Sequence, residues 1–178
     1  MVAVLSAADL EYIHAEFVPL AELCASTEHD LAEVRAAIGA RRLPAPPPYP
    51  GVEYVPANYF ELPDADEFRR TFAGDSRDEA LEAYLDGIYF VCLRDATVEN
   101  IARKNQLVDE IRILRADPRP DDDTWLAHLH SLVDELDELE RPFSPHFDRT
   151  EFGRPPSRDE LIADTRRLFP REARIPLS

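Results

Sequence analysis

Ser76–Ala116, SRDEALEAYLDGIYFVCLRDATVENIARKNQLVDEIRILRA, carries the most regular apolar pattern in the chain. Leu81, Tyr84, Leu85, Ile88, Val91 and Cys92 recur at three- and four-residue spacing, which places them on one helical face. After Arg94-Asp95 the spacing resumes at Val98, Ile101, Ala102, Val108, Ile111 and Leu114. The stretch therefore predicts two helices joined by a short turn, with the other segments packed around them. This pattern specifies an architecture, and it does not by itself name an activity.

Toward the N-terminus, Ser6 and Asp9 have the spacing of a short capping box, with Leu10, Ile13 and Phe17 on the inner face of the first helix. Pro19 suits the first turn of a second helix carrying Leu20, Leu23 and Cys24. Asp30 suits the cap of a third, with Leu31, Val34 and Ile38 inward. The segment 6–43 thus has the outline of a helix-turn-helix. Residues 1–43 carry seven acids against three arginines, and the would-be recognition helix opens with Asp30 and Glu33. That charge balance disfavours DNA, because groove-facing positions should be polar or basic.

Residues 44–64 form a proline- and aromatic-rich loop. Tyr49, Tyr54, Tyr59 and Phe60 fall within twelve residues of each other, and Val52, Tyr54 and Val55 suit a short strand or hairpin arm. Long loops of this kind in compact domains are often functional, so the tyrosines are candidates to line a small-molecule pocket. Within the helical core, 65–170, a short helix over Asp66–Phe72 precedes the central pair. After the polar linker DPRPDDD, Trp125, Leu126, Leu129, Leu132, Val133, Leu136 and Leu139 make one continuous stripe. A last helix, with Ser157 as its cap, turns Leu161, Ile162, Thr165 and Leu168 inward.

At 178 residues, with 44% hydrophobic and 31% charged, the composition fits one soluble domain, 1–178, of mainly α class, with roughly six to eight helices. The formal net charge of −16 repels nucleic acid and favours cationic ligands or basic partner surfaces. One lysine stands against nineteen arginines, as a GC-rich genome would produce. No apolar run is long enough to span a bilayer and no secretion signal opens the chain, so a cytoplasmic location with no membrane association is expected. Cys24 and Cys92 lie on predicted apolar faces and read as buried thiols.

Most reactive-site patterns are absent. No phosphate-binding glycine loop, dinucleotide fingerprint or nucleophile elbow occurs, so no cofactor is called for. The acids from Asp134 to Glu140 read as a solvated helix face and not as a metal site. His128 and His130 are two apart on a helix, hence about 200° apart, and cannot chelate one ion. Glu11 and His14 have a Glu-x-x-His spacing that is not repeated, and di-metal bundles need it twice.

Two places retain chemical interest. In Asp95–Lys104, Thr97 suits a cap, and Glu99, Asn100 and Arg103 place an acid, an amide and a base within two turns. Glu99 and Arg103 also suit a simple stabilising i,i+4 pair. In Pro142–Arg149, His146 sits in a proline-framed loop near Asp148, and a loop imidazole beside an acid suits a general base.

Several segments taken together resemble a known family. They are Arg41-Arg-Leu-Pro, Tyr54-Val-Pro-x-x-Tyr59-Phe, Tyr84-Leu-x-Gly87-x-Tyr89-x-Val-Cys92-Leu-Arg, Thr97-x-Glu99-Asn-Ile-x-Arg103-Lys104 and Glu140-Arg-Pro-Phe-Ser-Pro. They resemble an uncharacterised family of small actinobacterial proteins labelled as natural-product biosynthesis proteins. The likeness spans roughly residues 6–169. It departs at Val98, where the pattern has proline, and in a shortened, proline-rich Pro46–Pro50. The resemblance implies the company of secondary-metabolite genes and supplies no mechanism.

Two functional expectations arise. One is a small-molecule-binding tailoring protein and, at its most specific, a cofactor-free acid–base enzyme of cyclase or isomerase type. Tyr54, Tyr59, Tyr84, Tyr89, Asn100 and Arg103 would bind, and His146 or Glu99 would move protons. The other is a non-catalytic adaptor or regulator that holds a protein partner, or less readily DNA, through its helix-turn-helix-like part.

Overall fold

Ser6 starts the first helix as its spacing to Asp9 predicts. In the computed structural model, which describes residues 4–142 and 158–171, the Asp9 amide donates to the Ser6 hydroxyl at 3.2 Å. The Ser6 amide donates in return to the Asp9 carboxylate at 2.6 Å. This closes a capping box over α1 (Ala7–Glu16). α2 (Leu20–Ser26) and α3 (Leu31–Gly39) come next, α3 capped by the Asp30 carboxylate. Then come α4 (Ala65–Thr71), α5 (Arg77–Leu85), α6 (Ile88–Cys92), α7 (Val98–Ala116) and α8 (Asp123–Leu139), and a π-helical stretch, Arg158–Ala163, leads into α9 (Asp164–Leu168). The protein is mainly helical. Among the described residues one small antiparallel sheet pairs β1 (Val18–Pro19) with β2 (Tyr54–Val55), Val18 opposite Val55.

The chain divides into two compact units, Met1–Ala102 with Arg141–Thr150 and Arg103–Glu140 with Glu151–Ser178. α7 begins in the first and continues into the second.

The first unit is organised by aromatic rings. Phe72, Phe68, Tyr84, Phe90, Tyr59 and Phe60 form a row with successive centroids 5.3, 4.8, 6.2, 6.1 and 5.2 Å apart. Such edge and offset contacts add to the burial of large apolar rings. The proline strip crosses this core at Gly87. There the Ala45 amide donates to the Leu85 carbonyl at 2.9 Å. Gly87 has φ +76°, and a Cβ on it would lie 2.5 Å from the carbonyl oxygens of both Ala45 and Pro46. The helix expected to run unbroken from Leu81 to Cys92 is therefore interrupted. The left-handed residue at 87 starts α6 on a new axis and leaves room for the strip.

Arg141 closes the first unit. It is only 5% exposed. Its Nε and Nη2 donate to the carbonyls of Leu93 and Arg94, each at 3.2 Å, and its Nη1 to Glu16 at 2.5 Å. The guanidinium also lies 4.6 Å above the Phe17 ring centroid. A rigid five-donor fork suits this site, where three acceptors and an aromatic face must be met at once.

The second unit packs Leu107 and Ile111 of α7 against Trp125, Leu129, Leu132, Val133 and Leu136 of α8, with Leu161 and Ile162 completing the core. Phe169 meets Trp125 edge-on at 5.2 Å. Leu161, Ile162 and Thr165 point inward as predicted, whereas Leu168 is 49% exposed. The π-helical stretch adds a residue to the turn and rotates the face presented by α9.

Candidate functional site

α8 has a second face beside its core stripe. Asp122 caps the helix, accepting from the amides of Thr124 and Trp125 at 2.9 and 3.2 Å. Leu126, His130 and Asp134 then form one i,i+4 row along it, and Ala127 and Ser131 form the next. These two rows floor a cleft of about 610 Å³ in the second unit. Pro120, Asp121 and Asp123 bound it at the start of α8, and Arg171 bounds it beside Asp134. A smaller recess of about 340 Å³ shares His130, Asp134 and Arg171 and adds Arg166 and Pro170. The larger volume falls in the range of small-molecule sites.

His130 is the unusual residue. It is 4% exposed, and neither ring nitrogen has a hydrogen-bond partner. Buried polar atoms are nearly always paired, because stripping water from a donor or acceptor without replacement costs about 1–3 kcal/mol. The ring lines the cleft while both its nitrogens are sealed from solvent, so a bound molecule satisfies them once the side chain turns toward the cleft. His128, two positions earlier, is exposed.

The acids on this part of α8 are organised by arginines. Asp134 accepts from Arg166 at 3.0 Å through one oxygen and from Arg171 through the other. Asp137 is bridged by Arg166 at 2.9 Å and Arg158 at 2.7 Å. Burial works to raise both carboxyls, but the arginine hydrogen bonds outweigh it and hold both below the usual carboxylate range. Glu135 is lowered chiefly by the fork of Arg103, whose Nε and Nη2 each reach a carboxylate oxygen at 2.6 Å. These three acids are ionised and arginine-paired at neutral pH. Their first role is to hold neighbouring helices to α8.

A family model described as "Family of unknown function (DUF6058)" matches residues 56–170. The chain belongs to this family. No curated protein and no solved structure matches the chain. The family segment begins after α1–α3 and β2. It contains the whole of α8, so the floor of the cleft lies within it and Arg171 just beyond.

The residues singled out by sequence fall in several places. Tyr59 and Tyr84 come together around Phe90 in the first unit, both buried. The Tyr59 hydroxyl donates to the Pro44 carbonyl at 2.5 Å and that of Tyr84 to the Pro63 carbonyl at 2.6 Å. Burial raises both phenols far above their ordinary value, so they stay protonated donors. Tyr89 is buried in the same unit, and Tyr54, half-buried on β2, has its ring 5.6 Å from that of His14. Glu99 is exposed in the first turn of α7, and the Asn100 side chain donates to the Asp95 carbonyl at 3.0 Å. Arg103 belongs to the second unit, where Glu135 takes its guanidinium. His146 lies outside the described residues.

On the helix-turn-helix-like part, Arg35 is paired with Glu53 at 2.6 Å, and Arg41 with Glu82 and Asp86 at 2.7 and 3.0 Å. Among the described residues of 19–43 no large hydrophobic side chain is exposed. No helix among the described residues is long and apolar enough to cross a membrane, and none of them form a metal-holding cluster of three or more His, Cys, Asp or Glu.

In the sequence, His130 reads only as half of an excluded metal pair. The signal that could have found it is its place in the row Leu126–His130–Asp134, one step from the core stripe, with arginines collected at 166, 167 and 171.

Proposed function

We propose that the protein binds a small molecule in the α8 cleft and serves as a tailoring protein of actinobacterial secondary metabolism, working in the cytoplasm. The observation that carries the binding reading is the buried, unpartnered imidazole of His130 in the wall of a cleft of about 610 Å³. The metabolic setting rests on the sequence resemblance alone. Leu126, Ala127 and Pro120 offer apolar contact, and Ser131, Asp121 and Arg171 offer polar groups that orient a ligand. Where the bound molecule carries an acidic C–H or an O–H against the ring, the His130 imidazole would accept that proton and return it elsewhere. This is the acid–base chemistry of an isomerase or cyclase.

A fragment screen read by two-dimensional NMR on the full chain tests this. Shifts concentrated on residues 120–134 and Arg171, lost in His130→Leu, are the expected result. Shifts concentrated on Tyr54, Tyr59, Tyr84 and Tyr89 would move the site to the aromatic core. A screen with no responding residue in either place would overturn the reading.

A further inference from the structure

We infer that the α8 cleft takes an uncharged, hydroxyl-bearing molecule, an alcohol, enol or phenol whose oxygen meets the Ser131 hydroxyl and whose apolar body lies over Leu126 and Ala127. This rests on the reading of the cleft as a ligand site. The selection comes from which polar groups on its wall are free. Serine and threonine hydroxyls on helices commonly turn back onto a carbonyl of the preceding turn. Those of Ser26, Thr27 and Thr71 do so here, at 3.0, 2.6 and 2.7 Å. Ser131 is different. It is exposed in the interior of α8, lines the cleft and has no hydrogen-bond partner among the described residues. It follows Ala127 by about 6 Å along the helix axis, and His130 occupies the adjoining position.

The charges of the cleft are, by contrast, occupied. Asp134 holds both Arg171 and Arg166, and Asp123 is engaged within the protein. An anion would have to displace Asp134 from Arg171 to gain a partner. A cation is left with Asp121, which is exposed, and an exposed ion pair gains little over the water it replaces. The net charge of −16 attracts cations at long range, but physiological salt screens that field over about 8 Å. A neutral hydroxyl gives up the least hydration on entering, and it finds in Ser131 both a donor and an acceptor. Its O–H is then held next to the residue whose imidazole would take the proton.

The test uses four matched probes, phenethyl alcohol, phenethylamine, phenylacetate and ethylbenzene, titrated into the ¹⁵N-labelled full chain at neutral pH and about 0.15 M salt, where long-range attraction is screened. The amides of residues 126–131 give the readout. Phenethyl alcohol should saturate them with an affinity roughly fivefold above that of ethylbenzene, as one added hydrogen bond provides, and above that of either ion. Ser131→Ala should bring the alcohol down to the level of ethylbenzene while leaving ethylbenzene unchanged. Phenethylamine or phenylacetate binding as well as the alcohol, or an alcohol preference that survives Ser131→Ala, would overturn the neutral hydroxyl assignment while leaving the cleft a binding site. Silence of the cleft to all four probes would overturn both readings.

Discussion

His130 and Arg141 are both buried polar side chains, and they make opposite predictions. Arg141 meets two backbone carbonyls, a carboxylate and a ring face, so removing it strands several acceptors together. Arg141→Met should lower stability by about 3 kcal/mol in urea denaturation, with Arg141→Lys recovering only part of the loss. His130 satisfies no group in the protein. His130→Leu, of similar volume, should leave stability within about 1 kcal/mol of the parent or raise it, while abolishing binding in the cleft. A loss of stability as large as that of Arg141→Met would show that the imidazole is structural. Neither residue could be ranked from sequence. An arginine after a helix and a histidine inside one are ordinary until their partners are known, and those of Arg141 lie 47 or more residues away. The tyrosines were legible as an aromatic concentration. That the Tyr59 and Tyr84 hydroxyls would be taken by the Pro44 and Pro63 carbonyls depended on how the two ends of the 44–64 loop run.

At the scale of elements, patterning performed well where contacts are local. The Ser6–Asp9 box, the Asp30 cap and the stripe of α8 all depend on residues within a few positions of each other, and all appear. The break at Gly87 was hidden because its cause is non-local, the strip passing overhead. Gly87→Ala should cost roughly 3 kcal/mol, adding the left-handed penalty to the clash with two backbone carbonyls. Gly51 has the same φ of +76° but nothing within 4 Å of its would-be Cβ. Gly51→Ala should therefore cost only about 1 kcal/mol. Equal losses for the two variants in thermal unfolding would refute the crossing as the reason for glycine at 87.

Across the whole molecule the dominant fact is excess negative charge handled locally by arginine. Asp134, Glu135 and Asp137 have carboxyls lowered in the folded state by Arg166, Arg171, Arg103 and Arg158. For a depressed carboxylate the unfolded chain takes up protons first. The stabilisation is therefore complete above the ordinary carboxylate range, near pH 4, and is lost as pH falls through the lower folded value. Far-ultraviolet circular dichroism recorded from neutrality downward should show an acid transition that Asp134→Asn/Asp137→Asn makes shallower. The partners are half-exposed, so added salt should reduce the difference between parent and variant. The sequence carried this charge in plain view as a run of acids on α8. It could not say that Arg158, Arg166 and Arg171 would be the counter-ions, since a solvated face and a bridged one have the same composition.

All six tyrosines, from Tyr12 to Tyr89, lie in the first unit, and the single tryptophan, Trp125, lies in the core of the second. Each half of the polypeptide thus carries its own native chromophore. One unlabelled sample, heated while phenol and indole emission are recorded side by side, reveals whether the halves melt as one cooperative body or in succession.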